Sequence, residues 1–332
     1  MPTLFSAAFY ASISIAALSA LLYVLNLASP ALTTHPRGRV AGRGGRSALV
    51  LGATGATGRQ VVRELLASNE WSAVTTIGRR PYVVAEKGGA ADKRLHFIMV
   101  KDLADDDAVR AAVLSFMRGE GSLTTAAKGT PFYGRIAPFD VLFNCIGTTR
   151  KQAGGAVGFV NVEVGVTRTV TNLAADMGVL HVSVVSAQGA NHKQWAVDWF
   201  HPLLYVRTLG EKEQATLHPE IRAASEGAGE LQFPHEEGTS THGGDASSSG
   251  RGSHASSIVR RSIFRPGMLN RLSGDRFVEN VINRLGLGLR VDVLARAMVR
   301  DAEAEPPVER GVEVEAPVFY EGNTIIAQAS RL

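Results

Sequence analysis

One cysteine, Cys145, stands alone in this 332-residue chain. A single thiol excludes an internal disulfide and makes a cysteine-based zinc site implausible. A strong charge imbalance is also missing, because 35 basic and 31 acidic residues leave a net charge of +4. Much of that excess comes from one basic stretch before the folded part, so the charge gives no reason to expect a nucleic-acid partner. The stretch contains Arg37, Arg39, Arg43 and Arg46.

Charged residues are absent altogether from positions 3–28. As a helix this segment would be about 39 Å long, more than the ~30 Å hydrocarbon core of a bilayer. We therefore predict that residues 1–28 form a transmembrane signal anchor. All nearby basic residues follow it, and this charge asymmetry places the domain in the cytosol. A mitochondrial targeting peptide is the rival, but its arginines would lie within the amphipathic segment. The predicted partner is thus a membrane, either the endoplasmic reticulum or the mitochondrial outer membrane.

Two further segments have few apolar residues. Residues 29–46 are rich in proline, glycine and arginine, which predicts a flexible basic linker. Residues 221–257 include GGDASSSGRGSHASS, and such a composition predicts a disordered insertion. The histidines within it, His235, His242 and His254, have irregular spacing, so a surface insertion is favoured over a metal site. The remaining chain, 47–332, is predicted to be one NAD(P)-binding domain.

From position 47 onward, apolar strand patterns alternate with helical ones. This order predicts a Rossmann-type doubly wound parallel sheet in the α/β class. The predicted strands are 48–51, 74–77, 95–100, 139–146, 180–185, 258–264 and 317–320. Besides the helix after the first strand, the predicted helices are 104–117, 160–177, 206–217 and 291–299.

A glycine fingerprint, GATGATG, follows the first predicted strand directly and opens a helix. In this context Gly52 permits the turn, Gly55 allows a pyrophosphate to approach, and Gly58 lets the helix pack on the sheet. The anion would lie at the positive end of the helix dipole. A plain glycine-rich turn is the alternative reading, which the strand and helix on either side disfavour.

Cofactor choice is decided after the second strand, where the sequence is Ile77-Gly78-Arg79-Arg80. No acid is present there for a ribose 2′-hydroxyl, whereas two guanidiniums suit a 2′-phosphate, so NADP is favoured over NAD. After the third strand, Asp102 could reach the adenine. A solvated acidic helix start is the alternative. The full predicted cofactor set is Gly52, Thr54, Gly55, Ala56, Thr57, Gly58, Arg79, Arg80, Asp102, Leu103, Asn144, Gly147 and Thr148.

The ends of the fourth and fifth strands carry small and polar residues, which line the ligand crevice in open α/β sheets. The fourth strand ends in Asn144-Cys145-Ile146-Gly147-Thr148-Thr149-Arg150, where Cys145 reads as a small buried hydrophobe. The fifth ends at Ser186, and Tyr205 opens the next helix. Beyond these, Arg265 and Arg271 suit either an acidic ligand or the solvated surface.

These motifs resemble one family. GATGATG, IGRRP, NCIGTTRKQAG, a Ser-x-x-Gly-Ala strand end and FRPG occur here in that order. The chain is similar to the Tat-interactive-protein-2-type oxidoreductases, atypical members of the extended short-chain dehydrogenase/reductase superfamily. The resemblance implies that Tyr205 is the acid/base and that Ser186 holds the substrate carbonyl.

The resemblance breaks at the lysine that should follow the tyrosine by four residues. A cation there lowers the pKa of a tyrosine that otherwise titrates near 10. Here that position is Leu209, and none of the seven lysines has a tyrosine four residues before it. Lys212 lies two turns along the same helix, about 10 Å from Tyr205 by helix rise.

The sequence therefore predicts a membrane-anchored NADP(H)-binding protein. One hypothesis is an oxidoreductase acting on an unidentified carbonyl or alcohol through Tyr205 and Ser186. The alternative is a non-catalytic NADP-binding sensor or scaffold, which the substitution at Leu209 favours. A protein partner is compatible with this second hypothesis. The sequence specifies neither the small-molecule substrate nor the oligomeric state.

Overall fold

The computed structural model describes residues 45–82, 92–118, 139–220, 258–270, 288–304 and 315–331. The predicted anchor (1–28) and the predicted insertion (221–257) lie outside these ranges. So does the predicted linker apart from its last two residues, of which Arg46 already belongs to the first strand. Within the described ranges, no helix combines the length and apolar character needed to cross a membrane.

Nine strands are described, and seven of them form one parallel sheet. They are β1 (Arg46–Leu51), β2 (Trp71–Gly78), β3 (Leu95–Met99), β4 (Val141–Asn144), β5 (His181–Val185), β6 (Arg260–Arg265), β7 (Leu269–Asn270), β8 (Leu289–Arg290) and β9 (Val318–Glu321). The main sheet has the order β3-β2-β1-β4-β5-β6-β9, while β7 and β8 pair separately. The strand order reverses between β1 and β4, which is the switch point of a doubly wound sheet. The Rossmann-type prediction is confirmed.

The helices cover both faces of this sheet. They are α1 (Ala56–Ala67), α2 (Asp106–Arg118), α3 (Ala156–Val160), a π-helical segment (Asn161–Gly165), α4 (Val166–Asp176), α5 (His201–Leu217), α6 (Val291–Glu303) and α7 (Asn323–Ala329). The α3, π-helical and α4 segments follow one another without a break. Helix α5 starts at His201 with a proline in its first turn, earlier than predicted, so Tyr205 lies one turn inside the helix.

The core consists of two apolar clusters, one on each side of the sheet. Alternation along β1 sends Ala48 and Val50 into the cluster with α1, α6 and α7. It sends Leu49 and Leu51 into the cluster with α2 and α4. Side chains alternate faces along a strand, so a strand covered on both sides must be apolar throughout. This explains why residues 48–51 of β1 form a continuous apolar run.

Buried polar contacts connect the end of α6 to the strands and to the end of α1, which are far from it in sequence. Trp71 Nε1 donates to Glu303 Oε1 at 2.9 Å, and Ser68 Oγ donates to the same oxygen at 2.7 Å. Asp301 accepts from Arg260 at 2.5 Å and from the Tyr320 hydroxyl at 2.6 Å. Both carboxylates are buried, so these donors offset the cost of removing them from water.

Candidate functional site

The glycine fingerprint lies at the switch point of the sheet. Gly52 follows β1 with a φ of 79°, and a Cβ there would come within 2.8 Å of the carbonyl carbon of Cys145. Its carbonyl accepts from the Gly55 N–H at 2.9 Å, which closes the turn. A Cβ on Gly58 would overlap the Gly52 carbonyl oxygen. Glycine is therefore required at positions 52 and 58, for the turn and for the close packing of α1.

The other predicted residues of this loop lie just before α1 and in its first turn. Thr54, before the helix, is exposed, whereas Thr57, inside it, is buried. Arg59, which the sequence analysis did not single out, folds back over the loop, and its Nε donates to the Thr54 carbonyl at 2.9 Å. An exposed guanidinium thus lies beside the amino end of α1, where unpaired N–H groups favour an anion.

The neighbouring strand ends bring the predicted cofactor-selecting residues to the same edge. Arg79 and Arg80 follow β2 directly, and both side chains are exposed. After β3, Asp102 Oδ1 accepts from the Ala104 N–H at 2.9 Å in an exposed turn. The helix start itself is capped by Asp105, which accepts from the Ala108 N–H at 3.0 Å. Asp102 therefore forms a turn ahead of the helix and is not its cap.

Asn144, at the end of β4, is buried and uses both ends of its amide within the protein. Its Nδ2 donates to Thr167 Oγ1 at 3.0 Å, and its Oδ1 accepts from the Ile146 N–H at 3.1 Å. These bonds hold the loop after β4 against α4. The Asn144 side chain thus supports the shape of the crevice. These internal bonds explain why an amide is present there without the predicted contact to a cofactor.

A buried ion pair lies beneath the loop that follows β4. Lys212 Nζ donates to Glu163 Oε2 at 3.0 Å and to the Ile146 carbonyl at 2.7 Å. The other oxygen of Glu163 accepts from the Thr148 N–H at 2.7 Å. The two side chains are 1% and 3% exposed. Lys212 therefore does not replace the missing lysine beside Tyr205, since its amine is buried and bonded to Glu163 and to the Ile146 carbonyl.

Cys145 is buried at the carboxyl end of β4, as predicted. Its N–H donates to the Leu51 carbonyl at 3.0 Å and so continues the pairing of β4 with β1. Burial raises the pKa of the thiol to about 12, and the charge of Lys212 only partly opposes this. A thiol with that pKa is not a nucleophile at neutral pH.

Ser186 follows β5 and is part of a buried polar network. Its hydroxyl donates to Glu213 Oε1 at 2.6 Å. Arg265 holds Glu213 with two bonds, of 2.8 Å and 2.6 Å, and also pairs with Glu321 at 3.1 Å. This bidentate grip holds both carboxylate oxygens of Glu213 in place as acceptors. The Ser186 hydroxyl thus donates to Glu213. Arg265 is paired with two carboxylates of the protein, which fits neither the predicted contact with an acidic ligand nor the predicted solvated position. Arg271 lies outside the described residues.

Tyr205 lies on the outer face of α5 and is 36% exposed. Its ring stacks on Phe159 with centroids 6.1 Å apart, and the His201 ring meets it edge-on at 5.9 Å. The position where the family carries lysine, Leu209, is buried in the apolar interior. The next residue, Gly210, leaves no room for a Cβ against the backbone of Asn191 and His192. This close approach fixes where α5 packs and explains why residue 210 is glycine.

The structure thus brings the glycine loop, the ends of β2, β3, β4 and β5, and α5 to one edge of the sheet. The predicted contacts of these residues with a dinucleotide stay predictions. Sequence reasoning missed the partners Glu163 and Glu213, because nothing in their local pattern distinguishes them from surface acids. It placed Lys212 by helix spacing alone and so did not predict its pairing.

Comparison with known proteins confirms the resemblance to the Tat-interactive-protein-2 group. The NAD dependent epimerase/dehydratase family matches residues 48–194. Protein HTATIP2 of Rattus norvegicus is 30% identical over 168 residues, which are 51% of this chain and 55% of that protein. The mitochondrial Protein FMP52 of Lodderomyces elongisporus is 27% identical over 173 residues, 52% of this chain and 60% of that protein.

These alignments span a little more than half the length of the curated relatives. Among solved structures, a short-chain type dehydrogenase/reductase from Mycobacterium ulcerans is similar to this chain, with 15% identity and a TM-score of 0.47. That alignment covers 85% of this chain and 90% of the other.

Proposed function

We propose that the domain binds a nicotinamide dinucleotide, NADP(H), across the carboxyl edge of β1, β2 and β4. The glycine loop carries this proposal. Gly52 and Gly58 permit the tight turn after β1 and the close packing of α1 on it. Gly55 is exposed at the amino end of this helix, where a pyrophosphate would bind. The resemblance to Tat-interactive-protein-2-type oxidoreductases supports the same reading.

The choice of NADP(H) over NAD(H) rests on the charges beside the loop. Arg79 and Arg80 are exposed directly after β2, where the ribose of a dinucleotide would lie. Arg59 adds a third guanidinium at the amino end of α1. Residues 78–85, GRRPYVVA, include no acid to hold a 2′-hydroxyl. This charge pattern favours a 2′-phosphate.

A bound nucleotide could serve either catalysis or a non-catalytic role. The geometry favours nucleotide binding without fast turnover through Tyr205. A bound nicotinamide would supply or accept a hydride. The protein would then have to move a proton, and the groups for this are poorly arranged. Leu209, one turn after Tyr205 on α5, is buried and supplies no cation to the tyrosine. The Ser186 hydroxyl donates its proton to Glu213. For Ser186 to donate to a substrate oxygen, its hydroxyl must first turn away from Glu213. We therefore propose a sensor or scaffold role.

Oxidoreduction of a carbonyl or alcohol is the second candidate. It is favoured by one observation, the placement of Ser186 after β5 with Tyr205 on the next helix, as in the superfamily. In this reaction Tyr205 would exchange the proton with the substrate oxygen and Ser186 would orient it.

Nucleotide binding is tested by calorimetry with NADPH and NADH on the full-length protein. Replacing Arg79 and Arg80 with alanine should weaken NADPH binding about tenfold or more and leave NADH binding nearly unchanged. A matched control replaces Arg207 and Arg290, two exposed arginines paired with local carboxylates. Equal losses for both nucleotides would refute the assignment of the 2′-phosphate.

Turnover is tested by following NADPH absorbance with aldehydes, ketones and quinones. No turnover with any of them, despite tight NADPH binding, is expected for a sensor. Turnover that Tyr205→Phe abolishes would establish the second candidate instead. Leu209→Lys restores the cation of the family motif, so a gain of activity in that variant would show that the lysine position is correctly assigned.

We also propose that residues 1–28 hold the domain on the cytosolic face of a membrane. The support is the charge-free stretch 3–28, together with the mitochondrial designation in the name of the FMP52 relatives. Sodium carbonate extraction of membranes from expressing cells should leave the full-length protein in the pellet. Release into the supernatant would refute the anchor.

A further inference from the structure

A cleft of about 580 Å³ opens between the loop after β4 and the start of α5. Its volume falls within the range of small-molecule sites. Among the described residues, its lining comes from two elements: Thr149, Arg150, Lys151, Gly154 and Gly155 from the loop, and His201 from α5. None of them belongs to the glycine fingerprint or to the strand ends assigned to the dinucleotide ribose.

The loop that forms one wall has a well-defined shape. The Gly155 N–H donates to the Arg150 carbonyl at 3.0 Å, and the Ala153 N–H donates to the Thr149 carbonyl at 2.9 Å. Gly154 and Gly155 have φ values of 77° and 139°, which favour glycine strongly. A Cβ at either position would meet no described atom within 4 Å. The backbone conformation alone thus calls for glycine, and the wall beside it is open.

The charge of the cleft has one sign. Arg150 and Lys151 are the only charged residues in 147–155. The acid beneath this loop, Glu163, is already bonded to Thr148 and Lys212. Partial burial and the charge of Arg150 both lower the pKa of His201. At neutral pH His201 therefore presents a mostly uncharged imidazole, which can still donate one hydrogen bond to an anion.

The cleft adjoins the aromatic group around Tyr205. The His201 ring lies 5.6 Å from Phe159 and 5.9 Å from Tyr205. Val157, two residues beyond Gly155, is 80% exposed, and Trp199, two residues before His201, is 75% exposed. The rings of Phe159, His201 and Tyr205 thus form an apolar rim next to the two cations, a combination suited to an anionic head group with a short apolar body.

We propose that this cleft binds a small carboxylate- or phosphate-bearing ligand and presents it beside Tyr205. Arg150 and Lys151 hold the anion, and the apolar rim accepts the rest of the molecule. This goes beyond the proposed function, which assigns no anionic group to any ligand other than the dinucleotide. The ligand is a substrate if the domain turns over and an effector if it does not.

The test measures binding of three matched probes to the full-length protein by ligand-observed NMR at constant ionic strength. The probes are butyrate, n-butyl phosphate and n-butanol. We expect butyrate or butyl phosphate to bind at least about tenfold more tightly than butanol. The stronger of the two anions identifies the head group.

The variant is Arg150→Gln with Lys151→Gln, and the control is Arg207→Gln with Arg290→Gln, which removes the same charge elsewhere. The first should weaken anion binding about tenfold or more and leave NADPH affinity unchanged, while the control should change neither. Equal binding of butanol and the anions would overturn the proposal. A cleft variant that loses NADPH affinity would also overturn it, because the cleft would then hold a cofactor phosphate. Absence of anion binding beside normal NADPH binding would refute this inference and leave the proposed function standing.

Discussion

Replacing Lys212 with methionine should strongly destabilise the protein, although the residue is far from any surface. The change removes the donor for Glu163 Oε2 and for the Ile146 carbonyl, which lie 3.0 Å and 2.7 Å from Nζ. Glu163 then remains as a buried carboxylate, and of the donors in this cluster the Thr148 N–H is the one that still bonds to it. Breaking a buried ion pair from one side costs about 3–5 kcal/mol, because the remaining charge is uncompensated.

The double variant Glu163→Gln with Lys212→Met distinguishes this mechanism from simple loss of packing. Glutamine keeps an acceptor for the Thr148 N–H and carries no charge. Removing both charges of a buried pair is often nearly neutral. We therefore expect the double variant to recover about 2 kcal/mol or more relative to Lys212→Met. The control is Arg207→Met on the same helix, whose exposed pairing with Glu211 should be worth at most about 0.5 kcal/mol.

The assay is urea denaturation of the full-length protein followed by circular dichroism, with thermal melting as a second measure. For a domain of this size each kcal/mol corresponds to about 2–4 °C in Tm. A Lys212→Met variant within about 1 kcal/mol of the wild type would refute the reasoning. The reasoning would also be refuted if the loss of unfolding free energy in the double variant equalled the sum of the losses in the two single variants, because the two charges would then be uncoupled.

Three further experiments test other parts of the structure. Gly58→Ala should destabilise the fold by about 1–3 kcal/mol, and more than Gly55→Ala, whose added methyl would lie 3.1 Å from its nearest neighbour; melting curves with the reverse order would contradict the loop geometry. Cys145, with its pKa raised to about 12, should resist a thiol reagent at pH 8 until urea unfolds the chain, and rapid native labelling would show that the thiol is accessible. Trp71→Phe should cost about 1–3 kcal/mol in chemical denaturation because it removes the buried donor to Glu303, and an unchanged midpoint would make that bond unimportant.

Much of the fold was predictable because its signals are local. The apolar run of β1 and the helical spacing of Val61, Val62 and Leu65 each specify an element within a few residues. Helix α7 and the β7–β8 pair were not predicted, because seven and two residues are too few to show a period. The start of α5 was placed too late, since His201 and Pro202 begin the helix without adding to its apolar stripe.

The candidate site likewise combines local features that could be predicted from the sequence with long-range contacts that could not. The glycine loop was predictable because each glycine answers a steric need within one turn. The Ser186–Glu213 and Glu213–Arg265 bonds join residues 27 and 52 positions apart, and only the packing of α5 against β5 and β6 brings them together. Lys212 shows the limit of spacing arguments. Helix geometry gave its distance from Tyr205 but not the direction in which its amine points.

The π-helical segment Asn161–Gly165 inserts a wider turn into one continuous helix. A π turn holds about one residue more than an α turn, and one residue corresponds to a rotation of about 100° around the axis. The half after it packs Thr167 against Asn144, while the half before it directs Phe159 toward Tyr205. Deleting Val162 would restore regular winding and swing the Phe159 face away from the aromatic group. Related sequences that lack this extra residue should therefore keep the same sheet contacts but build a different surface next to the tyrosine.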